Sequence, residues 1–126
     1  MNFPSDLLYS KSHEWVRKMG DNTVRVGISD YAQHELGDLV FVNLPEVGEE
    51  AVKGERIADV ESVKAVSDIY SPVNGVVKAV NEAVLDSPEL INSDPYGTWL
   101  FEIEEVDAFE EFMDAEAYEQ YCGKEG

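Results

Sequence analysis

Few side chains in this sequence are placed to do chemistry. There is no Gly-x-Ser-x-Gly elbow, no phosphate-cradling Gly-x-x-x-x-Gly-Lys loop and no Gly-x-Gly-x-x-Gly dinucleotide turn. The lone Cys122 sits in a polar, acidic tail, where neighbouring negative charge keeps a thiol protonated and a poor nucleophile. It has no partner for an intrachain disulfide, so nothing points to an oxidising compartment. His13 and His34 are the only imidazoles. A closed zinc site would need carboxylates to complete it, and no metal is expected. Pairs such as Glu49-Glu50 and Glu110-Glu111 read as solvated faces in a chain with 27 acidic residues. Lys64 is different: it is one of nine basic residues and lies between Val63 and Ala65, where two strand-like runs meet. An amine at the apex of a hairpin is exposed, open to acylation and held still by the strands beneath, as a prosthetic arm requires. On composition alone, a solubilising turn residue is the plainer reading.

The elements that would hold it are short strands broken by Gly and Pro. His13 to Lys18 and Thr23 to Ile28 read as a hairpin across Gly20-Asp21-Asn22, residues that tolerate positive φ. Ser29 and Asp30 with Gln33 form a capping signal, and Gly37 fits the end of a helix of about two turns. From Leu39 to Ile103 the runs LVFVNL, ERIADVES, KAVSDIYS, GVVKAVN and TWLFEIE carry the Val, Ile and Phe of half-buried strands. From Asp107 the period changes. Phe109, Phe112, Met113, Ala117, Tyr118 and Tyr121 fall at helical spacing, with Asp114 as a second N-cap. The chain also echoes itself. Gly37 to Asn43 resembles Gly75 to Asn81, and Ile57 to Glu61 resembles Leu100 to Glu104, with an insertion in the second copy around Ser87 to Tyr96. Two similar antiparallel sheets about a pseudo-two-fold axis would follow, with Lys64 at the junction of the copies.

At 126 residues the chain is one ordinary domain, far short of the roughly 250 that an eight-fold βα barrel needs. With 44% hydrophobic residues it can bury a core. Nine basic against 27 acidic residues give a net charge of −18. Nucleic acid and anionic membrane would be repelled over most of such a surface. No run approaches the ~18 apolar residues of a membrane span. The N-terminus, Met1 to Asp6, has neither the basic and apolar regions of a signal peptide nor an Arg-rich transit character. A cytoplasmic protein is expected; a mature organelle protein without its leader would read the same way.

The residues around Lys64 sharpen this. Glu61-Ser-Val-Lys64-Ala65 matches without change the lipoylation motif of the glycine cleavage H proteins, and the chain resembles that family over about residues 9 to 121. The likeness includes Ser12-His-Glu-Trp15, Gly27-Ile-Ser-Asp-Tyr-Ala-Gln33, Leu36-Gly-Asp38, Ser71-Pro-Val-Asn-Gly75, Leu90-Ile-Asn92 and Asp94-Pro-Tyr-Gly97. Biotin carriers usually flank their lysine with methionines, and lipoyl domains of 2-oxoacid dehydrogenases lack the Ser-His-Glu-Trp opening and the helical tail. In one place the chain departs: the family's Gly-x-Gly-Trp spacing before the last strand is one residue shorter here, Gly97-Thr98-Trp99.

The resemblance implies a mainly β fold, a barrel-sandwich hybrid of two small antiparallel sheets of the lipoyl and biotinyl type. Short edge helices and a C-terminal helical tail complete it. It implies a single lipoyl-carrier domain over residues 1–126, with a core at about 9–104 and the tail at about 107–121. Lipoate would be attached to Lys64, with Glu61, Gly48 and Gly75 read by the lipoate-attaching enzyme. Such a carrier does no catalysis of its own. It takes the aminomethyl group of glycine from the pyridoxal-phosphate P protein, delivers it to the tetrahydrofolate-dependent T protein, and passes electrons to the L protein, an FAD-containing dihydrolipoamide dehydrogenase. A lysine side chain with its lipoyl extension reaches on the order of 14 Å, and tethering turns each encounter into a local search. The family shelters the labile adduct in a cleft. By position, Ser12, Glu14, His34 and Asp68 are the candidates for lining it, with Glu14 facing the amine. Read without the resemblance, Glu14 and Asp68 are turn or strand-edge carboxylates and His34 a surface helix residue. A monomer is expected. Two other functions share the same residues: a lipoate donor to other lipoyl-dependent complexes, and an unmodified β-rich binding module.

Overall fold

The structure, a computed structural model, describes residues 2–109 and 111–125. Its longest sheet grows from the expected hairpin. β2 (Glu14–Gly20) pairs antiparallel with β3 (Thr23–Ile28), with Trp15 opposite Gly27. The turn between them passes through Asp21 and Asn22 at φ of 51° and 56°, the left-handed region that a tight hairpin demands. β1 (Leu8–Tyr9) lies outside β2, and β9 (Phe101–Phe109) lies against β3. β8 (Val73–Val80) and β5 (Glu50–Ala51) complete a six-stranded order β1-β2-β3-β9-β8-β5. A second sheet has the order β4-β6-β7, built from β4 (Leu39–Asn43), β6 (Arg56–Ser62) and β7 (Val66–Tyr70). The internal echo falls on antiparallel partners in each sheet: β4 with β6, and β8 with β9.

Alternation explains what the sheets bury. Val24, Val26 and Ile28 of β3 point into a core with Val42, Val60, Ile69, Val73 and Ile103. Arg25, between them, turns outward to meet Glu102 at 3.2 Å on the neighbouring strand. Each such aliphatic side chain contributes about 1.5–3 kcal/mol on leaving water. A second cluster joins Leu7, Tyr9, Trp15, Tyr96, Tyr118 and Cys122. Helix α1 (Asp30–Leu36) begins where the Ser29 hydroxyl accepts the Ala32 N–H at 3.1 Å, and it stops at Gly37, whose N–H returns to Gln33. Both ends are those the capping pattern predicts. Two short helices follow β8: α2 (Ala83–Asp86), and then α3 (Glu89–Ser93) within the stretch where the second copy of the echo is longer. The last helix is α4 (Ala115–Glu125). No helix among the described residues is long and apolar enough to cross a membrane.

Three local expectations change. The helical tail does not start at Asp107, because β9 continues to Phe109 with Phe109 opposite Val73 and Ala108 opposite Asn74. Met113 then forms a β-bridge with Tyr9. Ladder hydrogen bonds already hold that backbone, so the helical spacing of Phe109, Phe112 and Met113 goes unused. The helix waits for Asp114, whose carboxylate accepts the Ala117 N–H at 2.8 Å. Cys122 is not in a polar tail. It is 4% exposed and packed among aromatic rings. The shorter loop before β9 closes on Asp94, which accepts the N–H groups of Gly97 and Thr98. Glu49, Glu50 and Glu111 are exposed as expected, and Glu110 lies outside the described residues.

Candidate functional site

β6 and β7 meet in a turn of three residues, Val63, Lys64 and Ala65. It closes with the Ser62 N–H on the Ala65 carbonyl at 2.8 Å. The Ser62 hydroxyl accepts the N–H groups of Lys64 and Ala65 at 3.2 and 3.0 Å. The serine of the Glu61-Ser-Val-Lys64 run is therefore a lock for the turn. Lys64 is exposed, and its Cε lies 3.5 Å from where a β-carbon on Gly37 would stand. Its stem leans back over the end of α1, and the bare backbone at Gly37, with φ of 81°, leaves room for it. Glu61 is exposed on β6, flanked across the strands by Phe41 and Val66.

Glu14 is 1% exposed. One carboxylate oxygen accepts hydroxyl hydrogen bonds from both Ser10 and Ser12 at 2.5 Å, and the other accepts the Tyr70 N–H at 3.3 Å. Burial pushes this carboxyl above the ordinary glutamate range, and the two hydroxyls and the amide pull the other way. The carboxyl thus meets three neutral donors and no counter-charge in its first ring of partners.

Two cavities open on this carboxylate. One, of about 270 Å³, lies between α1 and the lysine hairpin, walled by Tyr31, Leu36, Val60, Ser67 and Asp68 together with Ser12 and Glu14. The other, of about 420 Å³, lies on the far side, walled by Ser10, Lys11, Gly54, Tyr70 and Pro72 among others. Three of the four cleft candidates, Ser12, Glu14 and Asp68, line the first cavity. Asp68 is also bound by Arg56 at 3.2 Å, so its charge is partly met. His34 is exposed on α1 and is not among the lining residues of either cavity. The helix presents Tyr31, Ala32, Glu35 and Leu36 there, one face of a 3.6-residue period that His34 falls off.

Sequence reasoning missed Ser10 and the Tyr70 amide. Ser10, Ser12 and Glu14 are evenly spaced in the sequence, a signal that could have drawn attention to Ser10. A backbone donor contributed by a strand 56 residues away carries no sequence signal. Gly48 and Gly75 have backbone reasons of their own. Gly48 has φ of 93°, and a β-carbon on Gly75 would stand 2.5 Å from the Glu104 carbonyl oxygen.

The description of the glycine cleavage H-protein family fits residues 7–125 of the chain. The chain belongs to this family. A glycine cleavage system H protein from Lachnoclostridium phytofermentans is 54% identical, covering 99% of this chain and 98% of its own length. A probable glycine cleavage system H protein from Thermococcus kodakarensis is 55% identical over 91% of this chain and 88% of its own. The crystal structure of a glycine cleavage system H protein from Mycobacterium marinum superposes with a TM-score of 0.87 at 43% identity, covering 98% of both chains. As a member of the family, the chain is a lipoyl-group carrier of the glycine cleavage system, and the two-sheet architecture is the family's.

Proposed function

We propose that Lys64 is the lipoyl attachment point, and that the chain carries the aminomethyl group of glycine from the P protein to the T protein and electrons to the L protein without catalysing any step. Its setting in this reading is the cytoplasm, and residues 1–126 act as one carrier unit. When attached, lipoate would supply a cyclic disulfide that the incoming one-carbon amine opens, forming one sulfur–carbon bond and one thiol, and a dithiol that gives up electrons once that carbon has been passed on. The observation that carries the reading is the pairing of an exposed lysine on a locked turn with a buried carboxylate in the cavity beside it. Ser67, which walls that cavity with its strand partner Val60, is three residues from Lys64 along the hairpin, about 10 Å at strand rise. An arm of about 14 Å spans that interval. Lys64 leans toward α1, the opposite wall.

Glu14 is the residue this chain offers to an ammonium. It is already dehydrated, and an arriving cation meets it without first having to strip its water. Ser10, Ser12 and the Tyr70 amide hold the carboxylate in place, leaving Oε2 the less engaged oxygen. Ser12 supports Glu14 rather than contacting the guest directly, while Asp68 and Ser67 supply the polar rim. In this reading His34 has no part in the cavity. Glu61, exposed beside the turn, is the side chain an attaching enzyme meets first. The test is the intact mass of the protein from its native cells, followed by Lys64→Arg. The native chain is expected to carry one lipoyl group, and the arginine variant none. Glycine-dependent NAD reduction by the arginine variant in a system reconstituted with the P, T and L proteins would refute the assignment.

A further inference from the structure

Asn92, at the end of α3, makes three hydrogen bonds with its side-chain amide. Its oxygen accepts the Leu39 N–H at 2.9 Å. Its nitrogen donates to the Gly37 carbonyl at 2.9 Å and to the Gln33 side-chain oxygen at 3.0 Å. The backbone partners flank Asp38 on both sides. The carbonyl is one that the end of α1 leaves without an intrahelical partner, and the amide opens β4. One side chain therefore fixes the peptide groups before and after Asp38. The Asp38 carbonyl in turn accepts the Val63 N–H at 3.1 Å. Val63 is the first residue of the lysine turn, and its side chain is 72% exposed, so packing does little to anchor it. The Lys64 stem rests on Gly37, the residue whose carbonyl Asn92 holds.

We propose that Asn92 is the positioning residue for Lys64. Ser62 makes the turn rigid within itself, and Asn92, through Asp38, fixes where that rigid turn sits against α1 and the cavity beside it. The inference rests on the carrier reading for its purpose, because a fixed attachment point matters only if something is attached there.

The test uses the full chain without lipoate. Asn92→Ala is expected to speed hydrogen exchange at the Val63 amide about tenfold, the loss of roughly one net hydrogen bond, while the Val77 and Ile103 amides keep wild-type rates. Acylation of Lys64 by a lipoate-attaching enzyme should show KM raised several-fold and kcat held. Gln33→Ala, which leaves both backbone bonds of Asn92 in place, should behave as wild type in both assays. If Asn92→Ala does not fold, Asn92→Asp keeps the shape and the bond from Leu39, loses both donations, and should give the same exchange result. Unchanged exchange at Val63 overturns the proposal. So does a rise shared equally by Val77, which would assign Asn92 to the whole fold. Failure of wild-type Lys64 to be acylated would refute the carrier reading instead, and exchange at Val63 would still decide what Asn92 holds.

Discussion

Glu14 takes a negative charge where water does not follow, and the cost has a definite sign. Its folded carboxyl titrates above the unfolded value because of burial. Between those two values the folded chain holds a proton that the unfolded chain has released, so stability falls as pH rises. Glu14→Gln removes that slope. Relative to wild type, the variant should gain stability progressively from the ordinary glutamate range, about 4.3, upward, as measured by urea unfolding at a series of pH values. A constant difference across the series would show that burial is not what Glu14 contributes. The same substitution should leave lipoylation and reoxidation by the L protein near normal. It should speed ammonia loss from the loaded carrier by about tenfold or more when T protein is absent, the scale of one charge-assisted hydrogen bond. A wild-type rate would take Glu14 out of the cavity's chemistry.

The elements show where tertiary pairing overrides local signals. Thr23–Ile28 and Asp30–Leu36 were legible because alternation and a serine cap are local properties. The run from Asp107 to Met113 was not, since its helical spacing is real but its partners, Val73, Asn74 and Tyr9, are remote in sequence. α2 and α3 are too short, at four and five residues, to express a helical period. At the site, Lys64 and Glu14 stood out only through the resemblance carried by Glu61 to Ala65 and Ser12 to Trp15; by residue type alone both read as ordinary turn or strand-edge side chains. Ser10 and the Tyr70 amide became visible only once the chain had folded around them. Gly75 allows two element-level accounts to be separated. Gly75→Ala would drive a β-carbon into the Glu104 carbonyl, forcing β8 and β9 apart at a cost of about 1–3 kcal/mol. If the folded variant is still lipoylated at the wild-type rate, the glycine serves the strand pair and not the attaching enzyme. Tyr118 ties α4 to the rest. It is buried, stacks on Tyr9 at 4.5 Å, and meets Ser29 at 2.6 Å. Tyr118→Phe should cost about 1 kcal/mol in urea unfolding, and an unchanged midpoint would show that the ring alone holds the helix.

For the whole molecule the controlling fact is the charge of −18. Self-repulsion of this size destabilises the folded chain, so raising salt from about 10 mM to about 150 mM should raise the thermal midpoint. A midpoint that does not move would place the acidic residues too far apart to interact. Acylation of Lys64 takes the charge to −19, and the modified chain should run ahead of the unmodified one toward the anode in a native gel. The locked lysine turn has another consequence, in the language of proteolysis. A protease that cuts after lysine needs several residues pulled straight in its cleft, whereas Val63 and Lys64 are held by Ser62 on one side and Asp38 on the other. Exposed as it is, Lys64 is therefore hidden from such an enzyme until the hairpin opens. A brief digest of the native chain should spare the bond after Lys64, and a digest of the denatured, unmodified chain should cut it. The lipoylated chain should resist in both, so a pair of digests reads folding and modification at one peptide bond.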